Sequence, residues 1–539
     1  MHNPGLRAVA RADALFTDKA RYMGTWDQVA RYVIPRKFVY RETPDGAAAR
    51  ERMILDSTAP QALIMFGSFL HTTLNNPGDR WFFVEGVDRD ALAFDPAALT
   101  WAEATETGLN TEFSTGETTV YNVLHEMLLD VGAFGWSCAF MGERKGRFWL
   151  RYVGIQQSAV QEGPDGLVDT VAVSETMTVL AARKRWPGKS LGDQFDKVKP
   201  EQAPIEQMTC VHLVFPAEDE ELVAYLPDDV RGVSAPFYSL WICRESGHVI
   251  TADWYRQMPY LVPRWSKSTN SAYGRSPAMT ALGDILMLNR MNETVLRGAE
   301  KLVDPPLLIP DGASLSPVRL FPGGITYTDG DVQAHPLIPP GASRIELGFE
   351  LIKARQDAVR NAFFVPLFIN PEQPVKTATQ VMQESDERNR AAAPMVIRLQ
   401  HELYNPLISR AWSIMLRQGR LPPPPDVVLA KGGARIGYRN PVLASQRQLS
   451  GLAAMRWFES LAPWAQVDPG VMDWAQPDET AKVLHQAAGA PAALLRSKQE
   501  VDQLRRARHA QEQQAAQTQT ALQGVEATAK MVAAQGGRR

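Results

Sequence analysis

The chain is poor in cysteine: Cys138, Cys210 and Cys243 are the only three in 539 residues. An odd number, widely spaced and each in an apolar setting, argues against a disulfide framework or a zinc site and predicts buried free thiols. Long apolar runs are missing as well. The nearest, Ala62–Leu70, is broken by Gly67 and Ser68 and falls well short of the ~18 residues that cross a bilayer. The opening Met1-His-Asn-Pro-Gly lacks the charged-then-apolar order of a secretory leader, so a soluble protein made inside the cell is expected. An excess of one charge is also absent. Lys and Arg number 57 against 60 Asp and Glu, a net −3, which is a poor footprint for a sequence-specific nucleic-acid binder. What is there is core-building material: 45% hydrophobic and 22% charged residues. At about 150 residues per domain the length predicts roughly three or four folding units.

Residues 5–75 read as helical. Trp26, Val29, Ala30 and Val33 form an amphipathic stripe that stops at Pro35. A second helix runs from Ser57, a good N-cap, through Leu63, Phe66 and Leu70 to Leu74. Asn75-Asn76-Pro77-Gly78 ends it before a strand at Trp81–Val84, and two more helices fall between Thr100 and Val131, around Phe113–Gly116. From Gly135 to Pro263 the chain changes to short runs rich in Val, Tyr, Phe and Trp. Phe148–Gly154, Ser158–Gln161, Leu167–Ser174, Cys210–Phe215, Leu222–Leu226, Phe237–Cys243 and His248–Trp254 predict strands, with a tight turn at Gly163-Pro164-Asp165-Gly166. A sheet with flanking helices gives an α+β, helix-rich class.

Pro277–Val303 predicts a helix about 40 Å long, with Ala281, Leu288, Val295 and Leu302 recurring every seven residues beside Ile285 and Ala299. That spacing suits helix-on-helix packing. An insertion follows at Asp304–Ala342, with eight prolines and five glycines in 39 residues. Arg319 is its one cation against Asp304, Asp311, Asp329 and Asp331, a local −3. Leu307–Ile309 and Gly324–Tyr327 are candidate strands within it. Arg344–Phe364 is the next helix, then a loop at Asn370–Val375. Lys376–Gln418 reads as one long helix kinked at Pro394 and Pro406. Leu421–Pro425 is a stiff polyproline spacer. It leads to a small helical unit, Ser445–Leu495, carrying Trp457, Phe458, Trp464 and Trp474; beyond Trp474 no aromatic residue remains. From Lys498 the chain is rich in Ala and Gln, and its Arg505–Arg508 cluster reads as a solvated helix face.

No catalytic constellation emerges. Gly188-Lys189-Ser190 ends like a phosphate loop, but Arg183 stands where the first glycine belongs and Pro187 removes a donor. Gly188-Lys189-Ser190-Leu191-Gly192 also spells a hydrolase nucleophile elbow, yet a basic, helix-like segment precedes it where a buried strand is needed. A surface turn is the better reading. His125-Glu126 and His401-Glu402 lack a second histidine one turn on, so neither is a metalloprotease helix. Glu218-Asp219-Glu220-Glu221 reads as a solvated hairpin tip, Asp329-Gly330-Asp331 as a turn, and Asn292-Glu293-Thr294 as a sequon in form only.

Several ordered, widely spaced segments nevertheless point one way: Trp26–Pro35, Asp56-Ser57-Thr58, Asn76-Pro77 with Trp81-Phe82, and Tyr273-Gly274-Arg275-Ser276-Pro277-Ala278. Asp304-Pro305-Pro306-Leu307-Leu308, Thr377-Ala378-Thr379-Gln380-Val381 and Leu403-Tyr404-Asn405-Pro406-Leu407-Ile408 follow in the same order. Together they resemble the portal, or head-to-tail connector, proteins of short-tailed double-stranded DNA phages. The resemblance implies a wing at 1–275, stem helices at 276–303 and 343–364, and a clip at 304–342. It further implies a channel loop and long wing helix at 365–420, a crown at 421–495, and a C-terminal helix or tail at 496–539. It implies a non-enzymatic dodecameric ring without cofactor or metal, sited in the virion at one capsid vertex. Its partners would be the major capsid and scaffolding proteins, the terminase large subunit, the tail adaptor and tail tube, and double-stranded DNA in transit, with no membrane.

By that resemblance Gln373, Lys376, Lys301 and Lys353 lie near passing DNA, and Asp311, Arg319, Asp329 and Asp331 meet the tail adaptor. Stem cations Arg290, Arg297, Lys301, Lys353, Arg355 and Arg360 are expected to pair with Asp284, Glu293, Glu300, Glu346, Glu350 or Asp357, within or between subunits. The rival readings are a serine hydrolase using Ser190 and another tail or capsid subunit. Ser190→Ala separates the first rival: a hydrolase loses its turnover, whereas a connector assembles unchanged.

Overall fold

A computed structural model describes residues 4–35, 37, 54–87, 95–144, 146–269, 271–303, 307–308, 335–336, 345–368, 396–439, 441–465, 469–488 and 500–514. The chain divides into two compact units, one of residues 1–79 with 112–414, the other of residues 80–111 with 415–539.

The first nine strands in chain order are β1 (Phe82–Gly86), β2 (Cys138–Arg144), β3 (Arg147–Val153), β4 (Ser158–Glu162), β5 (Val168–Thr178), β6 (Gln207–Pro216), β7 (Phe237–Cys243), β8 (Val249–Tyr255) and β9 (Tyr260–Leu261). The first unit holds an antiparallel five-stranded sheet, β4-β5-β6-β7-β8, and a three-stranded one, β3-β2-β9. Alternation along β6 sorts the two faces of the larger sheet. Val211, Leu213 and Phe215 pack with Leu240 and Ile242 against Ala8, Val9, Ala12 and Leu15 of the N-terminal helix, Pro4–Lys19. On the other face Cys210, Trp241 and Cys243 meet Val179, Ala182, Trp186 and Phe195.

All three cysteines are buried free thiols, as their apolar settings predict. Burial pushes the Cys138 and Cys210 thiols up to about 12. Pairing of β6 with β7 places Cys210 opposite Cys243, a proximity their spacing in sequence conceals.

The helix Met23–Tyr32 buries Trp26, Val29 and Ala30. Thr58–Leu74 follows Ser57, but the Ser57 side chain caps no backbone N–H. Asp56 Oδ1 accepts the Thr58 N–H at 2.9 Å instead, while Ser57 Oγ accepts from Gln61 Nε2. Val120–Phe134 lies against Thr58–Leu74, with Leu129 beside Gly67 and with Leu63 and Phe66 beside Gly132.

One expected strand fails and some strands go unannounced. Leu222–Leu226 is no strand: Glu220–Val223 is a short helix, and Asp219 Oδ1 accepts the Leu222 N–H at 3.3 Å. The acidic run therefore opens a helix, where carboxylates complement orphan N–H groups and the dipole. β2 is a strand the sequence does not announce. It lies between β3 and β9 and is buried on both faces through Met141 and Gly142, so the alternation that marks a half-buried strand is absent.

At Pro406, where a kink is expected, the backbone carries a local irregularity. A π-turn at Gln400–Tyr404 precedes the Asn405–Arg417 helix, widening the backbone where proline crowds the carbonyl one turn back. Pro394 and the helix before Val396 lie outside the described residues.

In the second unit β1 pairs antiparallel with Ala434–Tyr438, from Phe82 opposite Tyr438 to Gly86 opposite Ala434. Residues 80–111, inside the 1–275 segment, thus join chain more than 300 positions away. Glu106 is buried and held by Arg439 through two hydrogen bonds of 2.7 and 2.9 Å. Trp101 Nε1 donates to the Pro422 carbonyl, seating the polyproline segment. Helices Pro441–Ala465 and Pro477–Ala488 follow, and Arg505 pairs with Asp478. Trp464 and Trp474 are largely exposed, so the aromatic run there is not a closed core. Among the described residues no helix is long and apolar enough to cross a membrane.

Lys19 ends the N-terminal helix and is buried, with Nζ donating to the carbonyls of Ile155, Gln156 and Ser158 at 2.5, 3.3 and 2.8 Å. Burial pushes its pKa down to about 7. The folded chain then holds this proton less tightly than the unfolded one, so the lysine makes stability rise with pH between about 7 and ~10.4. Lys19→Met strands these carbonyls and should cost ~2–4 kcal/mol near neutral pH, while removing that pH slope. Denaturant titrations at pH 7 and pH 9 measure both effects.

Candidate functional site: the root of the paired helices

Pro277–Val303 and Ile345–Ala362 run antiparallel, since Val295 meets Gly348 while Asp284 meets Arg355 further along. Ala281, Ile285 and Leu288 are buried on the first helix, and Ile352 and Val359 on the second. The heptad seam expected from the sequence is therefore real at its root, with Val295 half-buried beyond it.

The Tyr273–Ala278 segment explains itself atom by atom. Tyr273 packs tilted and edge-on into a cluster with Tyr22, Trp26 and Trp136, its ring centroid 4.9–5.3 Å from theirs. Its hydroxyl accepts the Val160 N–H. Gly274 crosses Gly135, a left-handed residue (φ +82°) that ends the Val120–Phe134 helix. A Cβ on Gly274 would stand 2.2 Å from the Gly135 carbonyl oxygen, and one on Gly135 would stand 2.3 Å from that of Gly274. Ser276 Oγ accepts the Met279 N–H at 2.9 Å and donates to the Ala133 carbonyl at 2.8 Å. It caps one helix and fastens it to the end of another. Pro277 occupies the first helical position, where its missing N–H costs nothing.

Two further groups brace the root. Asp56 Oδ2 accepts from Asn292 Nδ2 at 3.2 Å and Gln356 Nε2 at 2.8 Å, so one carboxylate spans both helices. The Leu55 N–H donates to Asn289 Oδ1 alongside. Arg264, only 1% exposed, meets Glu402 bidentately, with Nη2 at 2.7 Å and Nε at 3.1 Å. Its Nη2 also donates to the Gly166 carbonyl, so the β4–β5 turn and the π-turn share one guanidinium. The Asp56-Ser57-Thr58 and Tyr273–Ala278 motifs flag part of this site. Gly135, Arg264 and Glu402 carry no local signal, because their role is contact with distant chain.

Of the expected site residues, Lys353 is exposed on the second helix and Lys301 lies in the last turn of the first. Gln373, Lys376, Asp311, Arg319, Asp329 and Asp331 lie outside the described residues, as does Gly324–Tyr327. Leu307–Leu308 pairs antiparallel with His335–Pro336. The expected ion pairs form at Arg355–Asp284 (2.8 Å), Arg297–Glu293 (2.6 Å) and Arg360–Asp357 (2.9 Å). Arg290 and Lys353 have no ionic partner among the described residues. Met287, Leu296, Phe349 and Leu351 leave apolar surface exposed on these two helices.

The Ser190 segment is a surface turn. Helix Val179–Arg185 precedes it, the Ser190 hydroxyl donates to Asp196 Oδ2 at 2.5 Å, and Ser190 Oγ accepts the Gly192 N–H. The proton that a nucleophile would pass to a histidine is committed to a carboxylate. Among the described residues no three His, Cys, Asp or Glu side chains converge as metal ligands.

Gly274→Ala should destabilise the subunit by about 3 kcal/mol, because backbone, not a flexible side chain, must yield. Gly283→Ala, in the same helix with nothing within 4 Å, should stabilise it by ~0.5–1 kcal/mol. Paired denaturation curves check the contrast.

Comparison with known proteins follows this anatomy. The family model described as bacteriophage head to tail connecting protein matches residues 7–495. The probable portal protein of Bordetella phage BPP-1 is 25% identical, covering 97% of this chain and 94% of that protein. The portal protein of Salmonella phage epsilon15 is 24% identical, covering 96% and 94%. A chain from the virion of a native gene transfer agent particle superposes with a TM-score of 0.30 at 13% identity, over 67% of this chain and 85% of that one, too loosely to bear on the fold. With its match running from the N-terminal helix through the helix root and beyond Pro477–Ala488, this chain belongs to the bacteriophage head-to-tail connecting protein family.

Proposed function

We propose that the chain is the portal subunit of a tailed phage: a dodecameric ring at one capsid vertex, through which DNA enters and leaves. The observation that carries this reading is the antiparallel pair Pro277–Val303 and Ile345–Ala362. It is rooted by Gly274, Ser276 and Asp56, yet Met287, Leu296, Phe349 and Leu351 stay exposed. A firmly based hairpin with uncovered apolar residues needs neighbours of its own kind. Side by side around an axis, such hairpins make the wall of a bore, with the 304–342 insertion as the clip at its narrow end. In this reading residues 1–275 form the wing, 365–420 the channel loop and long helix, 421–495 the crown, and 496–539 a terminal helix or tail.

The charge balance supports a conduit. Every retained lysine–phosphate contact adds sequence-independent affinity, and so friction, to DNA in transit. A subunit of net −3 whose insertion carries a local −3 avoids a grip that a basic channel would impose. Lys301, Lys353, Gln373 and Lys376 are the residues that DNA passes most closely. Asp311, Arg319, Asp329 and Asp331 present the clip to the tail adaptor, and the terminase motor uses the same end during packaging. Capsid and scaffolding proteins surround the wing. No chemistry is asked of the subunit, which accords with the commitment of Ser190 to its own loop.

Electron microscopy of the purified full chain tests the proposal. A flared ring with a narrow stem and one axial channel is expected; a tail-tube or shell-like assembly would sink it. Deleting Asp311–Gln333 should spare ring formation and abolish tail-adaptor binding, and tails joining heads that carry the deletion would refute the clip assignment.

A further inference from the structure

We propose that neighbouring copies meet head to tail through opposite ends of the five-stranded sheet, the cationic end of β6 in one copy docking on the anionic end of β6 in the next. This deepens the ring reading and rests on it. β6 is ten residues long, so its ends lie about 30 Å apart and cannot meet within one chain.

The segment between β5 and β6, residues 179–206, carries six Lys and Arg against four Asp and Glu. It folds back on itself: the Val179 and Leu180 N–H groups donate to the Glu206 and Ala203 carbonyls. Arg183 Nη2 donates to the carbonyls of Phe195 and Val198, fixing the loop beside the helix. Arg185 is spent on Glu175 and Asp196 on Ser190. What remains outward is Lys184, Lys197 and Lys199, all exposed and without an ionic partner among the described residues, with exposed Lys189 facing Asp253 and with exposed Asp193, Glu201 and Glu206 diluting the charge. Leu180 shares a helix face with Lys184. Ile205, in the turn bonded to that helix, is 80% exposed, an unusual place for an isoleucine.

The far end of the same strand mirrors this. Residues 217–236 hold six Asp and Glu against Arg231 alone. Arg7 and Arg11 lie near Glu221 and Asp219, and Arg231 takes Asp228. Glu218, Glu220 and Asp229 are left exposed with no ionic partner among the described residues. β4 pairs antiparallel with β5, so their turn lies at this end too and adds Asp165 and Leu167, the latter 50% exposed. Arg256, after β8, and Lys267, paired with Glu162, are exposed cations that oppose the trend.

Each end thus offers an exposed aliphatic residue beside uncompensated charges, and the signs are opposite. A two-fold contact centred on either end would bring like charges together, whereas a head-to-tail contact from one end to the other matches them and propagates until it closes on itself. The occupant for each surface is therefore supplied by a second copy of this chain.

The test uses the full chain, after wild-type rings have been seen by native mass spectrometry and microscopy; a wild type that never forms rings sinks the ring reading and this contact together. Lys184→Glu/Lys197→Glu/Lys199→Glu should weaken subunit association about tenfold at physiological salt. Adding Glu218→Lys/Glu220→Lys/Asp229→Lys to that chain should restore it. If circular dichroism shows the reversed chain misfolded, the triple Lys→Gln variant is read in its place, with a smaller loss expected. Wild-type assembly by the reversed or neutralised chain overturns the contact while leaving the ring intact. So does failure of the second set to restore assembly, or unchanged rings whose lysines instead capture a different acidic protein.

Discussion

Two backbones crossing at Gly135 and Gly274 set the geometry on which the rest of the first unit depends. Neither position has room for a single extra carbon, and the atoms in the way are carbonyl oxygens. Backbone cannot rotate aside as a side chain can, so the end of Val120–Phe134 and the start of Pro277–Val303 are locked together. Ser276 then ties the same two elements by a hydrogen bond, and Tyr273 packs its ring into the aromatic cluster beneath them. The direction in which the long helix leaves the body is decided within four residues.

Around that crossing the molecule spends charged groups where apolar ones would be easier to bury. Arg264 and Glu402 satisfy each other, and the guanidinium also serves backbone on the β4–β5 turn. Removing one partner of such a pair typically costs ~3–5 kcal/mol, although the pair itself adds little over an apolar replacement. Its value here is geometric. A fork of hydrogen bonds fixes the Gln400–Tyr404 π-turn in one register against the sheet, which apolar contact would leave free to slide. Asp56 does the same for the helix pair, since a carboxylate with two amide donors allows one relative position of the helices.

A rigid root and uncovered flanks belong together in a subunit meant to assemble. The apolar residues left exposed on the helix pair and the opposed charges at the two ends of β6 are surfaces a monomer gains nothing from keeping. In the proposed ring they would serve as contacts between identical neighbours. Weak contacts would suffice there, because each subunit of a closed ring is held from both sides.

The sequence alone determined the elements whose signal is local. Trp26, Val29 and Ala30 marked a buried helix face, seven-residue spacing marked the Pro277–Val303 seam, and short runs rich in Val, Tyr, Phe and Trp located all five strands of the large sheet. The order of short motifs determined the family. Tertiary structure decided everything that joins residues far apart. It put Leu222–Leu226 at the end of a short helix opened by an acidic cap and in the turn after it, and it turned unpatterned Cys138–Arg144 into a strand buried on both faces. It also brought residues 80–111 to the chain after Met415 through strand pairing, and gathered Gly135, Asp56, Arg264 and Glu402 at one root. Periodicity reports which side of an element is buried, because burial repeats with the turn of the helix or the pleat of the strand. It carries no record of which distant backbone, carboxylate or guanidinium will lie against that side.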